Sequence, residues 1–84
     1  MKVLVCSVYD NAVKAYLPPF FAPTKGAAIR MFQDAVQQEG SQFAKHAGDY
    51  TLFILGEFDD NSGVLAPLSV PERVLTAIEA LPAS

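Results

Sequence analysis

Two adjacent prolines, Pro18-Pro19, do most to limit how this chain can fold. Neither carries a backbone N–H, so the run that ends there, residues 13–18, must lie at a sheet edge or break into a bulge. Within that run Val13, Ala15 and Leu17 share one side and Lys14 and Tyr16 the other, as a strand requires. Phe20, Phe21 and Ala22 follow, then Pro23 and Thr24, and Thr24 is a natural helix N-cap. An interrupted strand therefore feeds directly into a capped helix. Phe20 and Phe21 stand in a segment that cannot pair fully with a neighbour, close to Lys25 and Arg30 at the helix start.

The flanking pattern completes an α+β reading. Residues 2–9 form a first strand, apolar on both faces and rich in valine, which suits a central position. Asp10-Asn11 supplies the turn into the second strand. A helix over 25–38 places Ala28, Phe32, Ala35 and Val36 on one stripe, widened by Ile29 and Met31, and Gly40 ends it. Residues 41–49 connect, with Phe43 as an anchor. Tyr50 to Phe58 reads as a third strand, with Leu52, Ile54, Gly56 and Phe58 on one face and Thr51, Phe53, Leu55 and Glu57 on the other. Asp59 to Gly63 is a hairpin turn, and Val64 to Leu68 returns as a fourth strand. Ser69-Val70-Pro71-Glu72 has the form of a capping box and opens a last helix over 71–81, with Val74, Leu75, Ile78 and Leu81 apolar and Pro82 as the stop. The order is ββαββα: a four-stranded, mainly antiparallel sheet with two helices on one face, in a single domain over 1–84.

Composition narrows the function classes. With 84 residues and 51% apolar side chains the chain can fold around a core, but domains this small are marginal and often gain stability by oligomerising. We therefore expect a homo-oligomer, built through a sheet edge or the last helix. No apolar run approaches the ~20 residues that span a bilayer. Met1 to Val8 is short and β-branched and runs directly into Tyr9-Asp10, so it reads as a strand rather than a signal sequence. The single Cys6 leaves no partner for an internal disulfide or a cysteine zinc site and is expected to face the core.

The net charge of −3 is unlike that of a general phosphate binder, but its distribution is uneven. Residues 14–46 carry Lys14, Lys25, Arg30 and Lys45 against Asp34 and Glu39. Residues 47–84 carry Arg73 alone against Asp49, Glu57, Asp59, Asp60, Glu72 and Glu79. Such asymmetry permits one local basic face.

Several motifs do not survive inspection. Asp59-Asp60-Asn61 suggests a calcium loop, yet the sixth position from Asp59 is Val64 and the twelfth Val70, where glycine and glutamate are required. His46 is the only histidine, and neither Ser41, Cys6 nor Thr51 stands beside it in a recognisable nucleophile context. Thr24-Lys25-Gly26 lacks the glycine-lysine pattern of a nucleotide-hydrolysing loop, leaving phosphate contact by free helix N–H groups with Lys25 and Arg30. We expect no catalytic residues, no metal and no cofactor. Tyr9, Tyr16, Phe20, Phe21, Tyr50 and Phe53 could stack on single-stranded bases; Tyr16 and one of Phe20 or Phe21 are the best placed to be exposed. Aromatics serve protein interfaces equally well.

The chain resembles the small nonstructural proteins of gokushovirus-type microviruses, phages with circular single-stranded DNA. The resemblance rests on Val8-Tyr9-Asp10, on Ala15 through Gly26, on Ala28-Ile29-Arg30-Met31-Phe32 with Asp34-Ala35-Val36, on Lys45-His46 and Asp49-Tyr50, and on Gly56 through Asp60 with Gly63. It implies a non-enzymatic DNA-binding accessory of genome replication, of the switch to single-stranded synthesis and of packaging, in the cytoplasm of an infected bacterium. The alternative is a module that docks on the phage replication initiator, a host replication protein or the procapsid. For either use, the expected contact residues are Tyr16, Phe20, Phe21, Lys25, Arg30 and Lys45, lining one face.

Overall fold

The computed structural model describes residues 1–82. Strand β1 (Lys2–Asp10) is followed by two short strands, β2 (Ala15–Tyr16) and β3 (Phe20–Ala22), then helix α1 (Lys25–Gln37) and a single turn α2 (Gln42–Lys45). A 3-10 turn, Ala47–Asp49, leads into β4 (Tyr50–Asp59), β5 (Leu65–Thr76) and a final short helix α3 (Ala77–Ala80). All pairings are antiparallel, in the order β2-β1-β4-β5 with β3 also on β1. The α+β fold with a helical layer is as the sequence predicts. The element count is higher, for reasons that can be given residue by residue.

The double proline splits the second strand. Tyr16 pairs with Tyr9, pairing lapses through Pro18-Pro19, and it resumes with Phe20 opposite Cys6. Both pieces stay on the outer edge of β1, where the missing donors face no neighbouring strand. The Leu17 N–H donates to the Val8 carbonyl at 2.8 Å, and the Ser7 hydroxyl donates to the Leu17 carbonyl, which ties the proline segment down. Before it, the Asp10 carboxylate accepts from the Ala12 N–H at 2.9 Å, and Lys14 takes a left-handed φ of 56° to close the turn.

Helix α1 starts where Thr24 predicts it: the Thr24 hydroxyl accepts from the Ala27 N–H at 3.1 Å. Its stripe Ala28, Phe32 and Val36 is buried against Cys6, Val8, Leu52 and Ile54 of the sheet. Met31 stays exposed. Phe43 anchors the connector, its ring 5.9 Å from Phe32 and 4.8 Å from Tyr50.

Two expectations are overturned. Residues 71–76 are strand, not helix: Glu72 pairs with Ile54, Arg73 with Phe53, Leu75 with Leu52 and Thr76 with Thr51. Without them half of β4 would be a bare apolar edge, and cross-strand pairing along Leu52 and Phe53 outweighs a local capping preference. The capping box lies later, at Thr76 and Glu79: the Thr76 hydroxyl accepts from the Glu79 N–H at 3.1 Å and the Glu79 carboxylate from the Thr76 N–H at 2.8 Å. The last helix is thus 77–80, burying Ala77 and Ala80 and leaving Ile78 and Leu81 exposed.

The second correction concerns β4. Ile54 pairs with Cys6 but Gly56 pairs with Val5, so Leu55 is an extra residue. A bulge of this kind reverses the face of everything beyond it. Phe58, opposite Val3, therefore shares a face with Phe53, not with Leu52.

Candidate functional site

The helical layer covers one face of the sheet. On the other face the register of β1 places Val3, Val5, Ser7 and Tyr9, with Tyr16 and Phe21 beside them on one edge and Phe53 and Phe58 on the next strand. This face is uncovered, yet it is apolar where a solvated antiparallel sheet would alternate to polar side chains. Its rings form two groups. Tyr9, Tyr16 and Phe53 meet edge to face, with centroids 4.9 Å apart for Tyr9–Tyr16 and 5.6 Å for Tyr16–Phe53. Phe21 lies 5.7 Å from Phe58. Tyr16 is 42% exposed and Phe21 51%.

Among the described strand residues, the register places one charged side chain on this face, Arg73, opposite Phe53. Glu57, Asp59 and Glu72 pair with Leu4, Lys2 and Ile54 and belong to the helical side. The acidic balance of the chain is therefore not spread over the aromatic face. Arg73 is shared with Glu79, Nη2 to Oε1 at 2.7 Å, in an exposed pair. The Thr76 backbone N–H first, then the Thr76 hydroxyl and Arg73, hold the Glu79 carboxyl below its ordinary range.

The six expected contact residues do not share one face. Tyr16 and Phe21 stand on the open sheet. Phe20 alternates to the opposite side, packs against the core and borders an apolar cleft of about 370 Å³ with Leu17, Pro18, Met31 and Phe32. Lys25, Arg30 and Lys45 are exposed in the helical layer. Lys25 is paired with Glu72, Nζ to Oε2 at 2.9 Å, which offsets its charge at the helix start. Of the other aromatics considered, Tyr9 and Phe53 join the open face and Tyr50 is buried. Sequence reasoning missed Phe58 and Arg73. The strand period would have found Arg73 had 71–76 been read as strand; Phe58 is hidden by the bulge.

Cys6 is buried, and burial pushes its thiol up, opposite to what a nucleophile needs. Among the described residues no group of three or more His, Cys, Asp or Glu could hold a metal ion. No helix among them is long and apolar enough to cross a membrane.

These features define a two-layer α+β protein with one open, aromatic, carboxylate-poor sheet face. Residues 3–80 match the family model described as Phage ORF5 protein, and the chain belongs to that family: it is a bacteriophage protein. No curated protein and no solved structure matches it.

Proposed function

We propose that this phage protein is a non-enzymatic accessory, of the gokushovirus type, that binds single-stranded DNA. It would act in genome replication, in the switch to single-stranded synthesis and in packaging, in the cytoplasm of the infected bacterium. The observation that carries the reading is the Tyr9–Tyr16–Phe53 cluster on a face whose strand positions hold no carboxylate. Exposed rings stack on bases of any sequence, at about 1–3 kcal/mol per base. Arg73 beside Phe53 and Lys14 in the turn before Tyr16 are the cations nearest the cluster in register and sequence. Phosphate contact needs such cations within reach of the stacked strand.

The test is a titration of fluorescently labelled oligothymidine across salt concentrations. Binding that weakens as salt rises, and that falls about 5- to 150-fold in Tyr16→Ala, supports the reading. A parent without salt-sensitive binding, or a folded Tyr16→Ala variant with parent affinity, overturns it.

A specific observation favours the second reading, docking on a replication or capsid protein. The cleft between the proline segment and α1 is lined by Val8, Leu17, Phe20, Met31 and Phe43 without a charged group, and suits an aliphatic or aromatic anchor. Parent protein that ignores DNA but loses partner binding on Met31→Glu would establish this use.

A further inference from the structure

The open sheet face has two chemically different ends. The Tyr9–Tyr16–Phe53 end carries hydroxyls and Arg73. The other end, around Phe21, Phe58, Val3, Val5 and Leu65, has no polar side chain in register. No cation stands there in register, so phosphate contact does not account for it. Phe21 stands out from this end, 51% exposed, and Leu65 is 61% exposed. Directly across Val5 from Phe21 lies a depression of about 310 Å³, lined by Val5, Leu55, Gly56, Leu65, Ala66 and Pro67 together with Glu57. The depression lies beside Gly56, which carries no side chain, next to the irregularity where β4 advances past one residue and β5 past four between Gly56–Pro67 and Ile54–Glu72.

We propose that this end of the sheet is an isologous interface with a second copy of the chain, each Phe21 entering the other's depression. A two-fold contact requires one patch to carry both the projecting group and its receptor, and here Phe21 of β3 and the depression over β4 and β5 lie on either side of Val5 in β1. The patch is seven residues, Phe21, Val64, Leu65 and Pro67 exposed and Val3, Val5 and Phe58 half-buried, against about 20–30 residues a side in standard stable interfaces. The dimer is accordingly weak and concentration-dependent. The two surfaces that the sequence suggests for assembly are poorer. The β5 edge is broken by Pro67, Pro71 and two register shifts, the features that blunt edge pairing, and the last helix has only four residues. The interface leaves the tyrosine end of each copy free and does not depend on that end binding DNA.

Sedimentation velocity from low micromolar to near-millimolar protein tests the proposal. The parent should pass from the mass of one chain to that of two. Phe21→Glu and Leu65→Glu, each with parent-like circular dichroism, should remain single chains throughout. Leu65→Glu keeps the test valid if Phe21→Glu fails to fold, because Leu65 is on an exposed edge strand. A parent that stays monomeric, a dimer that persists in the folded variants, or growth beyond two chains would each overturn it.

Discussion

Gly56 lacks a side chain because the neighbouring strand occupies the place where one would be. A Cβ there would lie 2.5 Å from the Ala66 carbonyl oxygen and 2.9 Å from the Pro67 Cα, both backbone atoms that cannot swing aside. Gly56→Ala should cost about 1–3 kcal/mol by overpacking, read as a lower urea midpoint; a parent-like midpoint would contradict the close approach of β4 and β5. Phe32, 2% exposed, fills the centre of the α1–sheet contact. Phe32→Ala should cost about 3–5 kcal/mol in the same measurement. Tyr50 is buried, and burial first, then the Asp10 and Asp49 carboxylates, raise its hydroxyl above the ordinary value. The fold thus favours neutral Tyr50, so the stability it contributes is full below the unfolded value near ~10 and is lost as pH rises through the folded value. Alkaline unfolding should therefore move to higher pH in Tyr50→Phe; an unchanged alkaline midpoint would show that Tyr50 does not govern this limb.

At the scale of elements, β5 and α3 meet at one residue, Thr76, which ends the strand and caps the helix. Thr76→Ala should destabilise the protein by about 0.5–2 kcal/mol through loss of the cap. Glu79 completes that box from its charged form. Its carboxyl is lowered, so its contribution is present above the unfolded value and is lost as pH falls through the folded one. The Thr76 amide shift in NMR should follow this titration, and Glu79→Gln should abolish the pH dependence. By contrast, Lys25–Glu72 joins α1 to β5 between two half-exposed side chains. Such pairs contribute ~0–1 kcal/mol, so Glu72→Gln should leave the urea midpoint nearly unchanged. Hydrogen exchange distinguishes strand from helix at 72–76: the amides that face β4 should be protected together with β4.

The whole molecule measures 42 × 24 × 17 Å, a flat body with helices on one broad side and rings on the other. Its net charge of −3 bears on nucleic acid only through where the charges lie. If DNA runs over the aromatic face, Arg73→Ala should flatten the salt dependence by about 0.7 log units per log unit of salt, while Lys25→Ala, on the helical side, should not. Equal slopes for both variants would place the strand elsewhere.

The sequence by itself determined the α+β class, the Thr24 start of α1, the Ala28–Phe32–Val36 stripe, the central β1 and the 59–63 turn, because each depends on local chemistry: a cap, a period, a pair of prolines. It also put Tyr16 and one of Phe20 or Phe21 among the exposed aromatics, and the structure makes that one Phe21. Only the tertiary structure decided three further matters. It made 71–76 a strand, since the need to pair β4 lies outside the segment itself. It turned Phe58 to the open face, because a one-residue bulge reverses every later side chain and leaves no mark in the apolar alternation. And it separated Phe20, Lys25, Arg30 and Lys45 from Tyr16 and Phe21, because neighbours along a strand point to opposite faces and a helix that follows it must choose one.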